Sequence, residues 1–261
     1  MMPHSQSSAL PSFAIPFAEG IARAVRVPAD APPDAVLQAL ALPAEQCVLV
    51  VMGGAGNMER DIPGLAELIQ DGLARFAHER GVVIVTGGTA SGVMALIGAA
   101  RARIGGRFPL IGVVPDAVVS YPGHLEPQVA ALEPHHTHFV LTEGDRFGAE
   151  SDWLAQVALA IAGETGRALA VIINGGEIVK QEAHARAIGP LFMPLLVLEG
   201  SGRTADALAE ARLHPGADAL LDEIVHKADL HVFPVEAGAD TFYAWLSVYF
   251  SEWGSAAEGD D

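Results

Sequence analysis

Three glycine-rich segments place hydroxyls or a cation beside backbone that can turn sharply. The first is Met52-Gly53-Gly54-Ala55-Gly56-Asn57-Met58. Glycines such as Gly53, Gly54 and Gly56 let an anion come close to main-chain N–H groups. A tight turn without a ligand explains this segment equally well. The second is Thr86-Gly87-Gly88-Thr89-Ala90-Ser91-Gly92-Val93-Met94. Backbone amides at a helix start, with the Thr89 and Ser91 hydroxyls, form a donor cup for an anion. It lacks the lysine of a P-loop, so ATP-type phosphate transfer is not indicated. The third is Glu199-Gly200-Ser201-Gly202-Arg203-Thr204-Ala205-Asp206. Thr204 is expected to cap the helix that follows. Arg203 adds a fixed cation suited to bidentate phosphate recognition; the bland alternative is a solvated surface charge.

A fourth segment runs Glu133-Pro134-His135-His136-Thr137-His138-Phe139 and on to Gly148-Ala149-Glu150. His136 and His138 are two apart and would share a strand face. No third spaced ligand is evident, so no metal site is expected. The expectation is that the histidines hydrogen-bond within the domain. Glu150 would cap a helix or meet a ribose hydroxyl. Asn174-Gly175-Gly176 ends another strand and is expected to line the same crevice.

The elements that must hold these segments are short apolar runs alternating with longer Ala- and Leu-rich stretches. The runs are Cys47–Met52, Val82–Thr86, Leu110–Val114, His138–Thr142, Leu169–Asn174, Leu195–Glu199 and Leu230–Phe233. Several are apolar throughout, as strands covered on both faces of a parallel sheet are. Asp61 and Pro63 mark a helix start, with Leu65, Leu68, Ile69, Leu73 and Phe76 on one face. Trp153, Leu154, Val157, Ala158 and Ile161 repeat that spacing. The pattern is α/β: a Rossmann-like, doubly wound, mainly parallel sheet in a single domain. In such a sheet ligands bind at the carboxyl ends of the strands, where the glycine segments lie. Residues 1–32 show no clear period and read as an N-terminal arm, 33–254 as the domain, and 255–261 as an acidic tail. In the last helix Phe242, Trp245, Leu246, Tyr249, Phe250 and Trp253 share a face. That face either docks on its own sheet or forms a homodimer interface rich in aromatic anchors.

The chain has 261 residues, 51% of them hydrophobic and 18% charged, a folding composition. Fifteen basic against 32 acidic residues give a formal net charge of −17, which disfavours nucleic-acid binding. No run is long and apolar enough for a membrane helix, and the opening Met1-Met2-Pro3-His4 lacks the basic start of a secretion signal, so neither is expected. One cysteine, Cys47, excludes an internal disulfide and a cysteine-based zinc site. The expectation is a cytoplasmic protein with no cofactor and no membrane partner.

Thr86-Gly87-Gly88-Thr89 with Gly92-Val93-Met94 resembles the ligand loop of the SLOG domain, in the version found in melastatin-type TRP channels. That version pairs this loop with a His-x-His-Phe strand (His136 to Phe139), a Gly-x-Glu (Gly148 to Glu150) and an EGSGR-x-AD turn (Glu199 to Asp206). All four occur here in that order. The resemblance implies a Rossmann-like fold and a nucleotide-derived ligand such as ADP-ribose, bound by a soluble sensor module. By matching position, Thr86, Gly87, Gly88, Thr89 and Gly92 would face a phosphate or ribose. Gly200, Ser201, Gly202 and Arg203 would hold the pyrophosphate from the other side. The wider group includes nucleotide N-glycosidic hydrolases of the "Lonely Guy" type, whose loop reads PGG-x-GT-x-x-E. Here Thr204 fits the Thr, but the Glu position is Ala207, and Asp206 falls one residue early. Glu150 and Asp206 are the candidate catalytic carboxylates of that alternative.

Overall fold

All seven apolar runs form strands, and two further strands precede them. The computed structural model describes residues 10–54, 62–125, 130–165 and 167–252. In chain order, β1 is Ser12–Pro16, β2 Ile21–Val27 and α1 Pro33–Leu40. β3 is Val48–Gly53, α2 covers 65–80, and β4 is Val83–Thr86. α3 is Gly92–Arg103, β5 Leu110–Pro115, β6 His138–Thr142 and α4 Ser151–Ala162. β7 is Ala168–Ile173, α5 Glu177–Ile188, β8 Leu195–Glu199 and α6 Arg203–Leu213. α7 is Ala219–Lys227, β9 Leu230–Pro234 and α8 Ala239–Glu252.

The nine strands make one sheet in the order β1-β2-β6-β5-β4-β3-β7-β8-β9. Every pairing is parallel except that of β1 with β2. Strand side chains alternate between two apolar layers. Val48, Val50 and Met52 of β3 enter one, with α1, α4, α5, α6 and α7 over it. Leu49 and Val51 enter the other, under α2, α3 and α8. Period-two side chains with both faces covered explain why these runs are apolar throughout. From β3 the chain winds outward through β4 and β5 to β6, then returns to place β7 on the other side of β3. That reversal opens a crevice at the carboxyl ends of β3 and β7.

The arm expected over 1–32 is corrected for residues 12–27. β2 pairs in parallel with β6 from Arg23↔His138 to Val27↔Thr142. Its Ala22, Ala24, Val25 and Val27 are buried. Arg26 breaks the apolar pattern because it reaches out to Asp116 at 2.7 Å and to the Tyr121 hydroxyl at 2.6 Å. The helix start expected at Asp61 and Pro63 is also displaced. Asp61 lies outside the described residues, Pro63 sits in a turn, and the helix begins at Leu65 after Gly64 in the left-handed region (φ 78°). All five stripe residues of α2 are buried, although Leu68–Ala74 are wound as a π-helix. A Cβ at Gly72 would stand 2.9 Å from the Phe242 ring, so that glycine lets α8 approach α2.

Phe242, Leu246 and Phe250 of α8 are buried, with Phe242 on Phe233 and Phe250 stacked on Phe76. Trp245 and Tyr249 are half-buried around His231, and Val248 is exposed. Trp253 and the acidic tail lie outside the described residues. No described helix is long and apolar enough to cross a membrane.

Candidate functional site

A cavity of about 300 Å³ occupies the crevice beside β3. Its walls come from five connections that the sequence separates widely. The turn after β3 supplies Gly53 and Gly54, and the loop after β4 supplies Gly87 and Thr89. The start of α4 supplies Glu150, the start of α5 Gly176 and Glu177 and its second turn Glu182, and the start of α6 Arg203. A Cβ on Gly53 would overlap the Val93 side chain, so α3 packs directly on the end of β3. The Gly54 carbonyl accepts the Val93 N–H at 3.2 Å, closing that turn onto α3. Gly56 lies outside the described residues.

The loop after β4 divides into lining and support. Gly87 and Thr89 line the cavity, and the Thr89 and Ser91 hydroxyls lie 3.0 Å apart. Gly92 opens α3 at φ 52°. Thr86 and Gly88 face the protein instead. Thr86 is fully buried; its Oγ1 lies 2.9 Å from His136 Nε2 and accepts the Gly88 N–H at 3.0 Å. His136 Nδ1 lies 2.7 Å from Glu133 Oε2, and His135 Nδ1 lies 2.7 Å from Oε1. Burial pushes the His136 imidazole below its usual range, against the pull of Glu133. Burial acts to raise the Glu133 carboxyl, but the bonds from His136 and His135 outweigh it and hold it below the usual range. A neutral His136 that donates from Nδ1 to Glu133 and accepts the Thr86 hydroxyl at Nε2 satisfies every member. The shared strand face expected for His136 and His138 is corrected: His136 precedes β6 and turns inward. Among the described residues no three His, Cys, Asp or Glu side chains converge as a metal site.

The turn after β8 divides in the same way. Ser201 is fully buried; its hydroxyl donates to the Leu198 carbonyl at 2.6 Å and accepts the Asn174 N–H at 2.8 Å. Asn174 Nδ2 returns a bond to the Ser201 carbonyl at 2.7 Å, clamping the ends of β7 and β8 together. Gly202 precedes α6 at φ 94°, where a Cβ would stand 2.8 Å from Asn174 Nδ2. The N-cap expected at Thr204 is therefore corrected to Gly202, and the Thr204 hydroxyl donates to the Gly176 carbonyl at 3.1 Å. The Gly200 N–H donates to Asp206 Oδ1 at 2.7 Å, which ties Asp206 to its own turn and away from the cavity wall. Arg203 alone of this turn reaches the cavity. Its backbone is left-handed (φ 49°), and its guanidinium lies over Gly176, where a Cβ would stand 2.7 Å from Nη2. No described residue forms an ion pair or hydrogen bond with that guanidinium.

Three carboxyls line the cavity: Glu177, exposed and paired with Lys180 at 3.3 Å, and the more enclosed Glu150 and Glu182. Glu150 is nearly buried, and its Oε2 accepts the Gly148 N–H at 2.7 Å. It stands at the cap position of α4 but makes no side-chain cap. Burial pushes its carboxyl above the usual range, against those backbone bonds. Glu182 accepts the Ser151 hydroxyl at 2.8 Å. Burial pushes it up to about 7, helped by the charge of Glu150 and opposed by Ser151 and Arg186.

A family profile described as "SLOG in TRPM, prokaryote" matches residues 46–244. The chain belongs to this SLOG family. The SLOG chain is 28% identical over 224 residues to human transient receptor potential cation channel subfamily M member 7, covering 72% of itself and 12% of the channel. It is 26% identical over 210 residues to a Caenorhabditis elegans transient receptor potential channel, covering 69% of itself and 10% of that protein. Mouse subfamily M member 2 is 24% identical over 250 residues, covering 80% of this chain and 16% of the channel. The SLOG chain thus spans between 10% and 16% of the length of these relatives. Sequence reasoning about the SLOG site passed over Glu182. The available signal was its place between Val179 and Arg186 on the inward stripe of α5, both buried.

Proposed function

We propose that this SLOG chain binds a nucleotide-derived small molecule, ADP-ribose or a related NAD metabolite, and works as a ligand-sensing module. The observation that carries this reading is Arg203: a cation with no described partner, over a glycine, at a cavity on the topological switch point. Phosphate is the ligand group that such a guanidinium and adjoining glycine turns suit. The buried Thr86 and Ser201 hydroxyls serve the reading indirectly, by bracing the loops that carry Gly87, Thr89 and Arg203. The likeness to melastatin-type channel domains supports the nucleotide class.

The test is proton NMR of ADP-ribose, NAD and AMP mixed with the purified protein and followed over a day. Line broadening of one ligand with no new peaks is expected. Arg203→Ala should weaken binding by about 1.5–3 kcal/mol, the range of a charge-assisted hydrogen bond. Unchanged affinity in that variant would sink the assignment. The second reading, an N-glycosidic hydrolase, is favoured by the presence of Glu150 and Glu182 in one cavity, where a proton donor and a carboxylate could flank an anomeric carbon. Free base appearing in the same experiment would decide for it.

A further inference from the structure

Rest the nucleotide reading on Arg203, and the inner cavity poses a problem of charge. Glu150 and Glu182 lie among apolar walls from Met52, Met94, Phe147 and Leu154. Neither carboxyl has an ion pair with a described residue; their partners are the Gly148 N–H and the Ser151 hydroxyl. Arg186, one turn along α5 from Glu182, is spent on the Ser151 carbonyl at 3.3 Å and Asp152 at 3.4 Å. A ligand negative throughout would set its charge against both carboxyls. Glu150 is buried and Glu182 half-buried; carboxylates so enclosed without an ion pair are costly to ionise, and a ligand that brings a cation lowers that cost.

We propose that the ligand carries both signs: a phosphate at Arg203, and a flat cationic ring between the apolar walls facing Glu150 and Glu182. The chemical class is a nucleotide with an N-alkylpyridinium base, as in the oxidised nicotinamide nucleotides. Phe147 offers a ring to the cation, and Met52 and Met94 offer polarisable sulfur to its faces. The inference depends on the nucleotide reading and narrows its ligand. The charged groups around Glu182 are Glu150 and Asp152 at the start of α4, Glu177 and Arg186 on α5, and Arg203 at the start of α6. With Glu182 titrating at about 7, a cationic ring favours its ionised form, so binding releases a proton near neutrality.

The experiment is calorimetric titration with oxidised nicotinamide mononucleotide, its reduced form and AMP at pH 6.5 and pH 8. Oxidised and reduced forms share ribose and phosphate and differ in ring charge, so their affinity ratio isolates the ring. The oxidised form should bind about tenfold tighter at pH 8, one step of the affinity scale. That ratio should shrink about threefold at pH 6.5, as Glu182 takes up its proton. Glu182→Gln and Glu150→Gln should each bring the ratio toward one, with circular dichroism confirming the fold. If a Gln variant does not fold, the ratio in the unaltered protein decides alone. Equal affinity for the oxidised and reduced forms overturns the cationic ring. If AMP binds while the oxidised form has no advantage, the nucleotide reading stands and this inference falls. If none binds, both fall.

Discussion

Glu182 joins the site to the stability of the fold. Its carboxyl has an ordinary value of 4.5 and is pushed up to about 7 by burial. The folded chain therefore keeps a proton that the unfolded chain gives up between those values. Stability from this residue is lost as pH rises through that window, and the full cost stands above it. Glu182→Gln cannot ionise and still accepts the Ser151 hydroxyl. Its stability advantage over the unaltered protein should grow by on the order of 2 kcal/mol between pH 5.5 and pH 8. Denaturant unfolding of both proteins at the two pH values measures this; a constant difference would mean that the carboxyl is hydrated in the folded state. Arg203 shows the other side of residue-scale reading. Its type and place at a helix start were legible. Its left-handed backbone was not, because φ at a non-glycine residue follows from how Gly202 and Asn174 pack.

Between elements, the Glu133-His136-Thr86 chain holds the loop after β4 to α3. Glu133 also receives the His135 N–H at 2.9 Å, and its own N–H donates to the Gly88 carbonyl at 2.9 Å. The carboxyl lies against Gly98 on α3, where an added Cβ would overlap it. Gly98→Ala should therefore destabilise the protein by about 2–4 kcal/mol, through overpacking and disruption of a buried charged network. Thermal unfolding tests this. If the variant is as stable as the unaltered protein, α3 can move away from Glu133 and the loop is not held by it. In the sequence Gly98 is one small residue in an Ala-rich helix, and its neighbour Glu133 comes from beyond β5. The seven apolar strands, by contrast, were readable to within about a residue at each end, because burial on both faces is written into consecutive residues.

At the scale of the whole molecule, β1 and β2 extend the sheet beyond β6 and cover it. Ile15, Ala22 and Ala24 form a small apolar cluster with Phe139 and Leu141 of β6. Removing residues 1–27 should uncover that cluster and leave β6 as a bare parallel edge prone to pairing with other chains. A truncated protein that aggregates or melts well below the full chain is expected by light scattering and thermal unfolding. A monomer of unchanged stability would mean that this segment is dispensable to the fold. Sequence alone determined the α/β class, the seven apolar strands, the glycine turns at their carboxyl ends and the family likeness. These are local, since a strand covered on both faces and a turn after it are specified by neighbouring residues. Tertiary structure alone decided that five distant connections share one cavity, that Thr86 and Ser201 brace while Arg203 reaches in, and that Glu182 stands with Glu150. Strand order sets which carboxyl ends meet, and that order is fixed by packing between residues far apart in the chain.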